Sequence, residues 1–312
     1  MRFSDDGAYL ITLGERIILW DVSERRRTAS ARFSHASSAD FSPDGTLLAV
    51  KNTSGDVLVL SVPDLEEVTR LSGARLGEGT PVRFAADGTH IVDATWGGAL
   101  MIRSALDGTL AWSEMGDRIF RLERSRDRAV WTYDRPMPHV RRWPFDAHKP
   151  EPIGFYGGPF SVALSDDGTR IAGISAGLEV SERQADGTWS SPEQVFPAPW
   201  DGSAHGLCWG PNDELIHAHH STVRVFDDLH SAPRLMRLPF LARDVAISPT
   251  AKATAFGGPD QGLVLDWPLV LTSEIPDAPP NEHEDRITEI VNQARQRIEQ
   301  ARQRKDDPPA PN

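Results

Sequence analysis

The sequence predicts an all-β fold: a seven-bladed β-propeller of four-stranded antiparallel blades, followed by a C-terminal α-helix. Three observations carry that expectation. A turn of the pattern aromatic-Ser-x-Asp-Gly returns seven times, in intact or worn form. Its spacing suits a unit of four short strands. Residues 276–312 then change in kind, first to a Pro-rich stretch and then to an amphipathic pattern.

The turn copies come first. They are Phe3-Ser-Asp-Asp-Gly7, Phe41-Ser-Pro-Asp-Gly45, Phe84-Ala-Ala-Asp-Gly88, Leu122-Glu-Arg-Ser-Arg-Asp127, Leu164-Ser-Asp-Asp-Gly168, Trp209-Gly-Pro-Asn-Asp213 and Ile247-Ser-Pro-Thr-Ala251. Successive copies start 38, 43, 38, 42, 45 and 38 residues apart. In each unit a short apolar strand enters the turn. A second strand follows, such as Tyr9–Leu13 or Thr46–Val50. A turn then leads to a third, such as Arg16–Asp21, Asp56–Leu60, Val223–Asp227 or Gly262–Trp267. A fourth, more variable strand completes the unit. Branched and aromatic residues fill the strands, while Gly, Asp, Asn and Pro fill the turns, as hairpin chemistry requires. Many short antiparallel strands at a fixed period of about 40 residues select a propeller over a sandwich or barrel.

These residues resemble the WD40-repeat family. The likeness lies in the Phe-Ser-Pro-Asp-Gly turn at 41–45 and in a strand ending Leu19-Trp20-Asp21, and it spans roughly residues 1–275. It implies a seven-bladed propeller of degenerate repeats. Blade 2 has Leu60-Ser61 and blade 3 has Arg103-Ser104 where the family carries Trp-Asp. The segment Ala105-Leu-Asp-Gly-Thr-Leu-Ala-Trp112 also resembles a quinoprotein repeat, and is read as the turn between the third and fourth strands of blade 3.

Only Met1 and Arg2 precede the first turn. The outer strand of the last blade therefore comes from about Pro268–Ile275, or from sequence upstream of Met1. A Pro-rich linker follows over 276–281. Asn281 offers an N-cap with Glu284 three residues on. Acidic residues lead and basic ones trail, which suits the helix dipole. Ile287, Val291, Ala294, Ile298 and Ala301 form one apolar stripe. The expected helix is 282–305, docked on the propeller or on another subunit, with a disordered tail at 306–312.

Composition narrows the function classes. The 312-residue chain has a formal charge of −12, which argues against general binding to nucleic acid or anionic membrane. Of 33 basic residues only Lys51, Lys149, Lys252 and Lys305 are lysine, a bias that fits a GC-rich, bacterial genome. No run is long and apolar enough for a membrane span, and the N-terminus lacks a signal pattern. Cys208 is the single cysteine, so neither a disulfide framework nor a Cys-based zinc cage is available, and a cytoplasmic location is expected.

Each candidate for chemistry has a plainer reading. Gly173-Ile-Ser-Ala-Gly177 matches the nucleophile-elbow spacing, yet strands on both sides make Ser175 a hairpin residue. His217-Ala-His219-His220 puts two imidazoles on one strand face, and His205 enters the same blade on the neighbouring strand. A metal would need a further donor, so the run is read as a polar strand end. The arginine-rich stretch 117–142, with Trp131, Tyr133 and Trp143, suits either an anionic ligand or a solvated edge. Arg2, Arg83 and Arg121 hold equivalent inner-strand positions, and if they approach the central channel together a small anion could bind there. The fullest signal is a set of aromatic loops expected on one rim: Trp96, Tyr133 with Arg135, Tyr156, Trp200, His219 with His220, and Phe240. Large aromatics with arginine are typical of binding hot spots, although some such residues only plug gaps between blades.

The expectation is a non-catalytic scaffold or adaptor subunit that binds a protein partner through this rim and the C-terminal helix. No catalytic, cofactor-binding or metal-ligating residue is assigned. The rival readings are a propeller hydrolase or lyase with a central-channel site, and the sensor lobe of a larger signalling or defence protein.

Overall fold

The computed structural model describes residues 1–72, 81–85, 87–95, 99–115, 118–124, 129–135, 140–144, 151–153, 162–174, 177–197, 205–250, 253–258 and 262–266. The chain divides into two compact units, Met1–Leu271 and Thr272–Asn312. The second unit, with the expected linker, helix and tail, lies outside the described residues. So does the expected outer strand at 268–275.

The described part of the first unit is all-β, with seven antiparallel sheets. Sheet 1 holds β1 (Arg2–Phe3), β2 (Tyr9–Leu13), β3 (Ile17–Asp21) and β4 (Arg26–Ala31). Sheet 2 holds β5 (Ala36–Phe41), β6 (Leu47–Asn52), β7 (Val57–Ser61) and β8 (Glu67–Leu71). Sheet 3 holds β9 (Val82–Phe84), β10 (His90–Ala94), β11 (Ala99–Ser104) and β12 (Leu110–Met115). Sheet 4 holds β13 (Arg118–Arg124), β14 (Ala129–Arg135), β15 (Val140–Pro144) and β16 (Glu151–Ile153). Sheet 5 holds β17 (Val162–Leu164), β18 (Arg170–Ile174), β19 (Leu178–Glu182) and β20 (Glu193–Phe196). Sheet 6 holds β21 (His205–Trp209), β22 (Leu215–Phe226) and β23 (Arg234–Ala242). Sheet 7 holds β24 (Asp244–Ile247), β25 (Ala253–Gly257) and β26 (Gly262–Asp266). The strands of each sheet follow one another in chain order. The first strands are also neighbours from sheet to sheet: β1 beside β5, β5 beside β9, and so on through β13, β17, β21 and β24 back to β1.

The core lies between successive sheets, which explains the strand composition. Leu48 and Val50 of β6, with Leu58 and Leu60 of β7, pack against Ile11, Ile17 and Leu19 of sheet 1. The alternate residues Ala49, Val57 and Val59 pack the other way, against Val82, Phe84 and Ile91 of sheet 3. A strand buried on both faces cannot alternate apolar with polar, so Val57–Leu60 reads as a continuous apolar run. Each such side chain contributes about 1.5–3 kcal/mol of burial. Phe3 and Leu10 of sheet 1 meet Ala253 and Ala255 of sheet 7, which brings the two chain-distant sheets together.

The repeated turn has one construction. In the first copy Ser4 Oγ donates to Asp6 Oδ1 at 2.6 Å and accepts from the Tyr9 amide at 2.9 Å. Ser42 does the same with Asp44 and the Leu47 amide, and Ser165 with Asp167 and the Arg170 amide. The turn closes through a left-handed residue. Glycine fills that place at Gly7, Gly45, Gly88 and Gly168 with φ of 71 to 72°. Asp213 takes it in the sixth copy, also at φ 71°.

Sheet 6 departs from expectation. The sequence suggested separate strands around His217 and over Val223–Asp227, but both lie in the single element β22. Its first half pairs with β21 and its second half with β23. The register breaks at His220, whose φ is 51°. Facing also inverts there. Leu215 joins the cluster towards sheet 5, whereas Val223 and Val225 join the cluster towards sheet 7.

Candidate functional site

Among the described residues, the densest group of potentially reactive side chains lies on sheet 6. Strand alternation puts His217 and His219 on one face of β22. Their rings lie nearly parallel, 7° apart, with centroids separated by 5.9 Å. The His220 ring follows at 4.0 Å from that of His219, tilted by 45°. His217 is fully buried, and His219 and His220 are half-buried. The register sets His205 of β21 directly opposite His219, and Leu207 opposite His217. Leu207 and Leu215 belong to the core shared with sheet 5, so the imidazoles continue that face towards the strand end. No group of three His, Cys, Asp or Glu side chains among the described residues stands in metal-holding geometry.

The other predicted rim residues fare differently. Trp96, Tyr156 and Trp200 lie outside the described residues, as does Ser175. Tyr133 and Arg135 were expected in a loop, but they belong to strand β14, across from Val140 and Arg118 respectively. His219 and His220 likewise belong to a strand rather than a loop. Phe240 is corrected outright. It lies in β23 with 7% of its surface exposed, and packs with Leu238 and Ala242 into the core between sheets 6 and 7. Leu238, Phe240 and Ala242 alternate along the strand, so strand periodicity carries the ring inward.

The charged inner-strand residues are engaged structurally. Asp40 of β5 is almost fully buried. Its Oδ1 lies 2.5 Å from Arg2 Nε, and its Oδ2 accepts the Phe84 amide at 2.8 Å. One carboxylate thus joins β1, β5 and β9. Arg83 is buried and donates to the Val82 carbonyl at 2.9 Å. Arg2 therefore meets a carboxylate from its own chain, a contact the expected anion site did not foresee. For Arg121 the structure fixes a strand position opposite Tyr133. Sequence reading missed a second buried charge system, Lys51 with Asp93. A lysine inside an apolar strand, Leu47–Asn52, was the available signal.

Sheets 1 and 7 enclose a cleft of about 1270 Å³, whose walls include Tyr9, Arg16, Trp20, Arg243, Asp244 and Phe256. Trp20 Nε1 donates to Thr12 Oγ1 at 2.9 Å, and Asp244 accepts from the Met1 amino group at 2.7 Å.

No protein-family model matches the chain, and no curated protein matches it in sequence. Among solved structures it is similar to a chain of the Kuenenia stuttgartiensis hydrazine synthase. The TM-score is 0.69 and the identity 16%, with 87% of this chain and 95% of that chain covered. At that identity the likeness concerns the fold. Among the described residues no helix is long and apolar enough to cross a membrane.

Proposed function

We propose that the seven sheets are the blades of a closed, WD40-like β-propeller, and that the chain is a non-catalytic interaction scaffold of the bacterial cytoplasm. The observation that carries this reading is the use made of buried charge. Lys51 reaches from sheet 2 to Asp93 of sheet 3, and Asp40 ties sheet 2 to sheets 1 and 3. These ionisable groups lock blade to blade. A frame fixed in this way holds its loops with little ordering entropy left to lose on association. The hydrazine synthase neighbour is named for a synthesis, but a 16% likeness transfers no chemistry to this chain.

The partner-binding surface in this reading comprises Trp96, Tyr156 and Trp200 together with the strand residues Tyr133, Arg135, His219 and His220. Phe240 is left out of this surface because it is buried in the core between sheets 6 and 7. The amphipathic segment 282–305 is a second attachment point, and its short linker raises effective concentration. Affinity capture with wild type and with a Trp96→Ala, Trp200→Ala double variant tests the reading. The expected result is loss of the co-purifying partner with the melting temperature retained. Recovery of the same complex by both proteins would overturn it.

A further inference from the structure

Sheets 1 and 7 meet with unequal faces. Leu10 lies across from Trp20, and Thr12 across from Ile18, so these four side chains share one face of sheet 1. Leu10 and Trp20 pack with Ala253 and Ala255, which makes this the face that turns to sheet 7. The facing wall of sheet 7 is low. Ala255 lies across from Val264, and Gly257 across from Gly262. The bulky residues of the same two strands, Phe256, Leu263 and Leu265, turn the other way, to sheet 6. Stacked sheets lie about 10 Å apart. With small residues on one wall, that spacing leaves the cleft of about 1270 Å³ beside Ile18 and Trp20. Small-molecule sites occupy about 300–1,000 Å³, so the cleft has room for one. Val264 lines it and is 48% exposed, so it opens to solvent there.

The same cleft is lined by Arg16, whose charge is not matched by a carboxylate. Arg16 Nη2 donates to Ser30 Oγ at 3.0 Å, and Ser30 lies across from Ile18. Arg16 Nε is buried without an acceptor, and no carboxylate among the described residues pairs with this guanidinium. The acids that line the cleft are engaged elsewhere. Asp6 accepts from Ser4, Asp21 from Ser23 and the Glu24 amide, Asp244 pairs with the Met1 amino group, and Asp266 with Arg25. Glu15, the remaining one, is exposed. We infer that this cleft binds a flat, largely apolar molecule that carries one carboxylate. Its body lies between Trp20 and the wall of Ala255, Gly257 and Gly262, and its carboxylate meets Arg16. The planar guanidinium fork suits a carboxylate through two parallel hydrogen bonds, and a half-buried setting strengthens them relative to water. Trp20 is held in place by its bond to Thr12, so the wall is fixed before the ligand arrives. The site does not rest on the scaffold reading, and either can fail without the other.

The test titrates the full chain with 2-naphthoate by calorimetry at neutral pH, and with the uncharged 2-naphthamide in parallel. Wild type is expected to bind one 2-naphthoate per chain, and more tightly than the amide. Arg16→Gln is expected to weaken 2-naphthoate at least about tenfold, the worth of a hydrogen bond to a charged group, and to leave the amide nearly unchanged. Val264→Trp fills the mouth of the cleft from an exposed position and is expected to weaken both probes. Arg183→Gln, at an exposed arginine outside the lining, leaves both affinities unchanged. Far-ultraviolet circular dichroism and melting temperature separate loss of the site from misfolding. Failure of wild type to bind 2-naphthoate overturns the inference. So does an unchanged 2-naphthoate affinity in folded Arg16→Gln or folded Val264→Trp.

Discussion

Lys51 of β6 and Asp93 of β10 form an ion pair shut off from solvent at the join of sheets 2 and 3. The ammonium also donates to the Ala94 carbonyl, and Arg103 Nη2 lies 3.5 Å from the far Asp93 oxygen. Desolvation holds the Lys51 pKa below its ordinary value, and the Asp93 charge offsets this only in part. Removing one partner strands a buried charge. Asp93→Ala is expected to cost about 3–5 kcal/mol, while the Lys51→Met, Asp93→Leu double variant stays much nearer wild type. Urea unfolding of both variants checks this. A double variant that loses as much stability as Asp93→Ala, or more, would contradict this coupling.

Asp40 makes a different kind of join. It accepts one hydrogen bond from a backbone amide of sheet 3 and pairs with an arginine of sheet 1. Hydrogen bonds to charged groups contribute about 1.5–3 kcal/mol each. Asp40→Ala is expected to lower stability by about 2–4 kcal/mol, and Asp40→Asn by less, because the amide oxygen still accepts from Phe84. Thermal melts of the pair read the order. A melting temperature for Asp40→Ala equal to that of wild type would contradict it.

The contact between sheets 1 and 7 is testable at a glycine. Gly7 and Gly45 share the left-handed conformation, with φ of 71 and 72°. A Cβ on Gly45 meets nothing within 4 Å, whereas one on Gly7 runs into the hydroxyls of Ser248 and Thr250. Gly45→Ala is expected to cost about 1–2 kcal/mol for backbone strain alone. Gly7→Ala adds an overpacking cost of about 1–3 kcal/mol. Chemical denaturation of the two variants side by side measures the difference. Equal costs would mean that sheet 7 does not press on this turn.

The turns also predict acid sensitivity. The Ser42 hydroxyl, and after it the Thr46 amide, hold the Asp44 carboxyl below its ordinary value. A depressed carboxyl contributes stability that is complete above the unfolded pKa of about 4 and disappears as pH falls through the lower folded value. Asp44→Ala is therefore expected to melt below wild type at neutral pH. The gap narrows as pH drops below about 4. A gap that is constant with pH would assign the effect to packing rather than to the charge.

The strand plan was legible in the residues because local chemistry writes it. Tyr9–Leu13 was read as a strand and is β2. The Asp-Gly turns were read at the places where left-handed glycines occur. The candidate site was less legible. Phe240 looked like a loop aromatic, and it is a core residue because alternation along β23 turns it inward. Tyr133 and Arg135 looked like loop residues, but β14 runs as far as Arg135. Strand ends shift by a residue or two with pairing partners that a local pattern does not encode.

By itself the sequence determined the repeat, the strand-rich composition and the turn chemistry, all of which depend on residues near one another in the chain. Only the tertiary structure decided which distant groups meet: Lys51 with Asp93, Asp40 with Arg2 and the Phe84 amide, His205 across from His219. The physical reason is that these encounters are set by register and sheet-on-sheet packing. Shifting either by one residue turns every side chain of a strand to its other face.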